Sequence, residues 1–275
     1  METEVIGFIG LGDQGAPIAH RILDAKLPLV VWARRPQVLK AFTARGASAA
    51  ASASELGARC DHVGICVVND NDVAEICQQL LPAMRPGSRI AIHSTVLPDS
   101  CVKLEKQCAQ HGIELIDAAV SGGAARAQAG TLTIMCGGKQ QAFEACRTVF
   151  ETFGKLIVLV GPIGSGQRAK IVNNALLAAN IGLAHAALTA GESMGLDRAV
   201  LAGLIRGSSG HSFGLEVCAR YQSPRAFAAG AKLLIKDVGL LKAVLPHDVS
   251  AEALRAAADP YLDQATCAAH SSTSD

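Results

Sequence analysis

The chain has 275 residues, 50% of them hydrophobic, and a formal net charge of +1. That length suits one large domain or two modest ones with a substantial core, and the near-neutral balance leaves no electrostatic footprint for nucleic acid or an anionic membrane surface. With one Trp and two Tyr there is no set of stacking platforms for bases.

The start, METEVIGFIG, carries acids where a secretory signal has a basic n-region, so a cytoplasmic location is expected. Short apolar runs follow at 5–9, 29–32, 63–68, 90–93, 113–116, 132–136 and 157–160, with helix-like segments such as 16–25 and 73–81 between them. Apolar runs alternating with helices predict βαβ units around a mostly parallel, doubly wound α/β sheet. The segment ASAAASASE resembles a low-complexity linker, but it lies between two such units. Ser52 or Ser54 ahead of Glu55 can start a short helix there.

The pattern changes after Gly161. GPIGSG is a turn cluster, and helical periodicity dominates 167–196, 199–205 and 233–244. A boundary within 161–165 predicts an α/β domain over 1–162 and an all-helical domain over 163–275, with a polar tail disordered from about 265. No apolar run is expected to span a bilayer without a charge, Pro or Gly cluster intervening. The nine cysteines are odd in number and form no CxxC pair, which reads as small buried hydrophobes in a reducing compartment. No Cys/His cluster has ligand spacing, so no metal site is expected.

GFIGLGDQGAPIAHRIL places Gly10, Gly12 and Gly15 in a GxGxxG array between the first strand and a helix, the context a dinucleotide-binding turn requires. Gly10 permits the tight turn, Gly12 lets backbone approach a pyrophosphate, and Gly15 lets helix pack close on strand. The helix N-terminus then offers unpaired N–H groups to the anion. At the end of the second strand, where an acid would bind the ribose 2′-hydroxyl, VVWARRPQ supplies Arg34 and Arg35 instead. Two guanidinium groups suit a 2′-phosphate, so NADP(H) is expected over NAD(H). A solvated basic turn that tolerates either cofactor is the alternative.

Several segments together resemble the β-hydroxyacid dehydrogenases, the family of 3-hydroxyisobutyrate dehydrogenase and its semialdehyde- and glyoxylate-reductase relatives. GFIGLGDQGAPIA is similar to the opening signature, with Gln14 where a Met is usual. HSTVLP, DAAVSGGAARAQAGTLTIMCGG (Ala119 in place of a common Pro), GPIGSGQRAKIVNN and IKDVGL match later signatures in order. The resemblance implies a Rossmann domain followed by a helical domain, in dimers or tetramers, acting on a small carboxylate substrate. Leu11, Asp13 and Gln14 between the glycines, Val67, Val68 and Asn69, Thr95 and Lys236 would contact the cofactor. Ser121, Gly122 and Gly123 would bind the substrate carboxylate, Asn174 would hold substrate or orient the lysine, and Lys170 would be catalytic. After Asp237 the pattern fails, and 245–275 is expected to lack the family's two closing helices.

Alone, Lys170 would be a lysine snorkelling from a helix start, where a cation is a poor partner for the dipole. The surrounding motifs reverse that reading. Lys170 and Asn174 are i and i+4 on one helix face. A positioned ammonium both stabilises developing alkoxide charge and delivers a proton during hydride transfer to a carbonyl. Three rivals remain. An imine reductase usually lacks this lysine, and a 6-phosphogluconate dehydrogenase has His where Asn173 stands and is much longer. A cofactor-binding sensor without turnover tends to lose the lysine that this chain keeps. His185 is expected to be a core histidine, and GSSGHSF (207–213) a pocket lining or a turn between helices.

Overall fold

A computed structural model describes residues 4–221 and 223–267. The chain forms two compact units, Met1–Lys170 and Ile171–Asp275. The first unit alternates β1 (Ile6–Ile9), α1 (Gly15–Asp24), β2 (Leu29–Trp32), α2 (Lys40–Thr43), β3 (Ser48–Ala49), α3 (Ala53–Arg59), β4 (His62–Ile65) and α4 (Asp70–Leu80). It continues through β5 (Arg89–Ile92), α5 (Pro98–Gln110), β6 (Glu114–Ser121), α6 (Gly123–Gln128), β7 (Leu132–Gly137), α7 (Gln140–Phe150) and β8 (Gly154–Gly161). The eight strands lie in the order β3-β2-β1-β4-β5-β6-β7-β8, parallel except where β7 runs against β6.

Period-two alternation splits the core into two layers. Ile6 and Phe8 of β1 and Leu29 and Val31 of β2 face a cluster with Ile18, Ile22, Phe143 and Phe150. Ile9 and Val30 face the opposite one, with Leu56, Ile76, Leu80 and Leu104. Strands covered on both faces have no polar side to show, which is why they read as apolar runs. The short helix expected near Glu55 is α3: Ser52 accepts from the Glu55 N–H (3.0 Å) and Glu55 accepts from the Ala51 N–H (2.8 Å).

One expectation needs correction, and one strand was not expected. The strand expected at 113–116 is β6, which extends to Ser121 because it is paired by β5 on one side and β7 on the other. Ser48–Ala49 is an edge strand on β2 that two small residues did not reveal.

Two histidines lie under the sheet among phenylalanines. His62 meets Phe150 edge-on, and His93 stacks on Phe8 while its Nδ1 lies 2.9 Å from the Ala118 carbonyl. Burial, reinforced by His93, lowers His62 from 6.5 to about 3, and burial lowers His93 to about 4. Both values are depressed, so this contribution to stability is complete above about pH 6.5 and is lost as pH falls through that window. Asp117 on β6 acts in reverse. Burial raises it from 3.8 to about 6, against the pull of backbone N–H donors, so its contribution is present at low pH and lost as pH rises. Between pH 6 and 4 these three groups together give the unfolded chain an excess of about one proton, and their share of the stability should fall by about 1.4 kcal/mol per pH unit. Urea unfolding across this range should show His62→Phe with a slope lower than the parent's by about that amount, and an unchanged slope in that variant would contradict the account.

The second unit is helical. Its residues begin inside α8 (Ser165–Ser193) and continue through α9 (Arg198–Arg206), α10 (Phe213–Arg220), α11 (Ala228–Val244) and α12 (Val249–Thr266). Contrary to the sequence expectation, α8 is long and apolar enough to cross a membrane by length and composition, with a mean hydropathy of 1.4 over 18 residues. In this fold it packs as the central helix of the helical unit. Gly182 lets it cross α12 so closely that a Cβ there would lie 1.8 Å from the Ala257 carbonyl, and Gly214 brings α10 against the backbone of Asn180 and Ile181. Ala178, Ile181 and Leu188 share a core with Leu215, Leu234, Tyr261 and Leu262.

The segment after Asp237 is also corrected. It completes α11 and then forms α12, an 18-residue helix capped by Asp248 and buried through Ala258, Tyr261 and Leu262. Residues 265 and 266, placed in the expected tail, belong to that helix. The rest of the tail, 268–275, lies outside the described residues. His185 is half-buried rather than deep in the core, with its ring 5.2 Å from Tyr261 and 3.3 Å from an Arg198 guanidinium nitrogen. Of GSSGHSF, residues 207–212 link α9 to α10, and Ser212 caps the latter.

Candidate active site

The strand order reverses between β1 and β4, and in an open α/β sheet ligands bind beyond the carboxyl ends of strands at such a point. The glycine turn lies there. Gly10 has φ +98°, and a Cβ on it would lie 2.0 Å from the Cys66 carbonyl just past β4. A Cβ on Gly15 would lie 1.8 Å from the Gly10 carbonyl, so this residue locks α1 against the turn. Among the described residues, nothing lies within 4 Å of a Cβ on Gly12. The turn is thus closed at its first and third glycines and open at its second.

Gln14 stands at the start of α1 without capping it, and its buried Nε2 has no hydrogen-bond partner among the described residues. The first turn of α1 holds no acid. Unsatisfied donors and open space at Gly12 fit a dinucleotide pyrophosphate. Leu11 is buried beside the turn and Asp13 is exposed. Gly12→Ala should therefore leave thermal stability within about 1 kcal/mol yet weaken nicotinamide-dinucleotide binding. Gly15→Ala should destabilise the unit by roughly 3 kcal/mol or more. Thermal melts alongside cofactor titrations would separate the two, and equal effects in both variants would contradict the assignment.

The other expected residues follow the carboxyl ends of neighbouring strands. The Val67 N–H donates to Ser94 Oγ (2.8 Å), tying the loop after β4 to the loop after β5 that carries Thr95. Val68 is exposed, and Asn69 caps α4 by accepting from the Asp72 N–H (2.9 Å). Ser121 ends β6, followed by Gly122 at φ +132° and Gly123 at φ +69°, a conformation that glycine adopts at least cost. Arg34 and Arg35 follow β2, and the Arg34 guanidinium donates to the Asp72 carboxylate.

Lys170 is the last residue of the first unit and is only 8% exposed. Its helix is held at the start by two residues the sequence reading missed. Asp117, fully buried on β6, accepts from the Gly164 N–H (2.6 Å) and the Gln167 N–H (2.8 Å). Gln167, also fully buried, accepts from the Val96 N–H (3.0 Å) and donates to the Ser94 carbonyl (2.9 Å). A Cβ on Gly166 would lie 2.3 Å from the Met135 carbonyl, so α8 starts in direct backbone contact with β7. These contacts bind the first turn of α8, three residues before Lys170, to β6, β7 and the Thr95 loop. A lone carboxylate inside LIDAAV was the available signal for Asp117, because a buried charge needs partners.

Within the helical unit, the Asn174 side-chain N–H donates to Asp237 Oδ2 (2.5 Å), and Asn174 Oδ1 accepts from Asn173 (3.1 Å). Lys236 Nζ lies 3.1 Å from Asp237 Oδ1. The two asparagines and the Lys-Asp pair therefore form one polar network where α8 meets α11.

A cavity of about 670 Å³ lies elsewhere, among Arg59, Arg85, Arg89, Asp61 and Glu4 at the amino ends of β4 and β5. Arg85 is paired with Asp61 (2.6 Å) and Arg89 with Glu4. It stands at the opposite end of the strands from the glycine turn and plays no part in the chemistry of that site.

Residues 5–161 match the model of the NAD binding domain of 6-phosphogluconate dehydrogenase. Residues 164–275 match that of the NAD-binding region of NADP-dependent 3-hydroxyisobutyrate dehydrogenase. The chain is 38% identical over 248 residues to the NAD-dependent L-serine dehydrogenase of Pseudomonas aeruginosa, covering 86% of this chain and 83% of that protein. It is 32% identical over 252 residues to the mitochondrial 3-hydroxyisobutyrate dehydrogenase of Mus musculus, covering 86% and 74%. Among solved structures, Mycobacterium tuberculosis 3-hydroxyisobutyrate dehydrogenase with L-serine superposes with a TM-score of 0.84 at 28% identity, covering 94% and 92%. With both matched regions in the order and over the lengths that the fold requires, the chain belongs to the β-hydroxyacid dehydrogenase family of NAD(P)-dependent oxidoreductases, alongside 3-hydroxyisobutyrate dehydrogenase.

Proposed function

We propose that the protein transfers hydride between NADP(H) and a small 3-hydroxy acid or the corresponding semialdehyde, or a small 2-oxo acid, which it reduces to the 2-hydroxy acid, with Lys170 as general acid and base. The observation that carries this reading is the anchoring of a buried lysine: Asp117 and Gln167 bind the start of its helix to the carboxyl-end loops of the sheet that also bears the glycine turn. The nicotinamide, when bound, supplies or accepts the hydride. Ser121 with the backbone N–H groups of Gly122 and Gly123 binds the substrate carboxylate, and consecutive N–H groups suit an anion. Lys170 holds a proton at Nζ for the substrate oxygen, delivering it in reduction and taking it back in oxidation. Asn174, its amide oriented by Asp237 and Asn173, stands one turn beyond the lysine to hold substrate or lysine in register.

Arg34 and Arg35 support NADP(H), while relatives named for either cofactor keep NAD(H) a usable second choice. NADPH oxidation with succinic semialdehyde, methylmalonate semialdehyde and glyoxylate, and NADP⁺ reduction with 3-hydroxyisobutyrate and L-serine, test the reading. Absence of turnover with all of them, in a protein that binds NADPH, would favour a sensor or scaffold.

We place the protein in the cytoplasm, where the nine unpaired cysteines stay reduced; burial pushes Cys66 and Cys77 up to about 12, which keeps their thiols inert. A homodimer or homotetramer is supported by Val172, Leu176 and Leu183 of α8, exposed apolar residues at helical spacing. Light scattering that gives the mass of a single chain would contradict this.

A further inference from the structure

We propose that Asp72 sets the cofactor preference by competing with the ribose 2′-phosphate for Arg34, an inference that rests on the NADP(H) reading above. Arg34 follows β2, where the adenosine ribose is expected, and its guanidinium donates to Asp72 Oδ1. The two partners are unequally held. Asp72 lies in the first turn of α4, where its own N–H is fixed by the Asn69 cap (2.9 Å), and its side chain is 15% exposed. The Arg34 side chain is 57% exposed. The carboxylate is therefore the anchored member and the guanidinium the solvated one. Glu75, three residues on from Asp72 along α4, adds a second negative charge toward Arg34, and hydrogen bonding to Asp72 holds the guanidinium firmly in its charged form.

A 2′-phosphate carries about −1.5 to −2 charge. To pair with Arg34 it must displace or share with a fixed carboxylate that repels it. A 2′-hydroxyl is neutral and can donate to the same carboxylate. Asp72 thus weakens NADPH binding while leaving NADH binding unharmed, and so narrows the preference that two consecutive arginines would otherwise impose. The helix dipole accounts for an acid in this turn but not for its pairing with the residue after β2.

The test is direct binding. Dissociation constants for NADPH and NADH by fluorescence, and for 2′,5′-ADP and 5′-AMP by calorimetry, are measured on the wild type, Asp72→Asn, Arg34→Ala and the double variant. Asn retains the backbone bond to Asn69, and a thermal melt of each variant checks folding. Asp72→Asn should tighten NADPH and 2′,5′-ADP by about tenfold and leave NADH and 5′-AMP within about twofold. The gain should shrink in the Arg34→Ala background. If Arg34→Ala weakens NADPH selectively but Asp72→Asn leaves the NADPH-to-NADH ratio unchanged, the competition is overturned and the NADP(H) reading survives. If Arg34→Ala and Asp72→Asn both shift the two cofactors equally, and NADH binds tighter throughout, the NADP(H) reading itself fails and the competition falls with it.

Discussion

Lys170→Met should lower kcat by about 10²- to 10⁴-fold in both directions while leaving the cofactor dissociation constant close to that of the parent. Met matches the lysine stem in length and apolar character, so the buried position stays filled while the ammonium is lost. The loss falls on the transition state, where alkoxide charge develops and no other acid is assigned to meet it. Direction matters as well. A free lysine titrates near 10.4, so only about one in a few thousand is neutral at pH 7. Reduction uses the abundant ammonium and oxidation needs the scarce amine. Alcohol oxidation should therefore peak at clearly more alkaline pH than carbonyl reduction, and its alkaline limb should disappear in Lys170→Met. Turnover equal to the parent, or superimposable pH profiles for the two directions in the parent, would remove Lys170 from the chemistry.

Asp117→Ala should destabilise the α/β unit by about 2–5 kcal/mol, since the Gly164 and Gln167 N–H groups are left buried without their acceptor. Asp117→Asn is the more informative variant. One amide oxygen still accepts, but its NH₂ faces the second backbone donor. The first turn of α8 should shift, and Lys170 with it. The expected signature is a fall in kcat with little change in cofactor affinity, because the glycine turn is fixed by its own close contacts with Cys66 and Gly10. A second signature comes from titration. Asn removes a group whose proton uptake on folding offsets the proton release by His62 and His93, so the loss of stability between pH 6 and 4 should steepen by about 1.4 kcal/mol per pH unit. A variant with the parent's slope and the parent's kcat would show that Asp117 is neither a titrating group nor a positioning residue.

Local pattern made much of the fold legible. Strands buried on both faces must be apolar throughout, and α1 and α4 show helical periodicity between them, so the α/β order could be read directly. The glycines at 10 and 15 were legible because backbone sterics leave few other residues for those places, and Gly12 because the space beside it is kept open. The helical unit was harder. Ala-rich α12, broken by acids, reads as a degenerate tail, yet it packs Tyr261 and Leu262 into the core. Helix α8 was legible in extent, read over 167–196 and found at Ser165–Ser193, but its packing partners were not, because an almost uncharged run has no polar face to show which side each neighbour covers.

The sequence by itself determined the layered α/β unit, the glycine turn, the helical second half and the lysine with its asparagine one turn on, because each is written in short-range spacing and residue chemistry. Only the tertiary structure decided that Asp117 and Gln167 hold the lysine's helix start, that Asp72 engages Arg34, and that Asp237 orients Asn174. Those pairings join residues 38 to 73 positions apart in the chain, or set two distant strands and a helix against one another. No local propensity encodes such distances; they exist once burial has forced each polar group to find whichever partner the packed chain brings within reach.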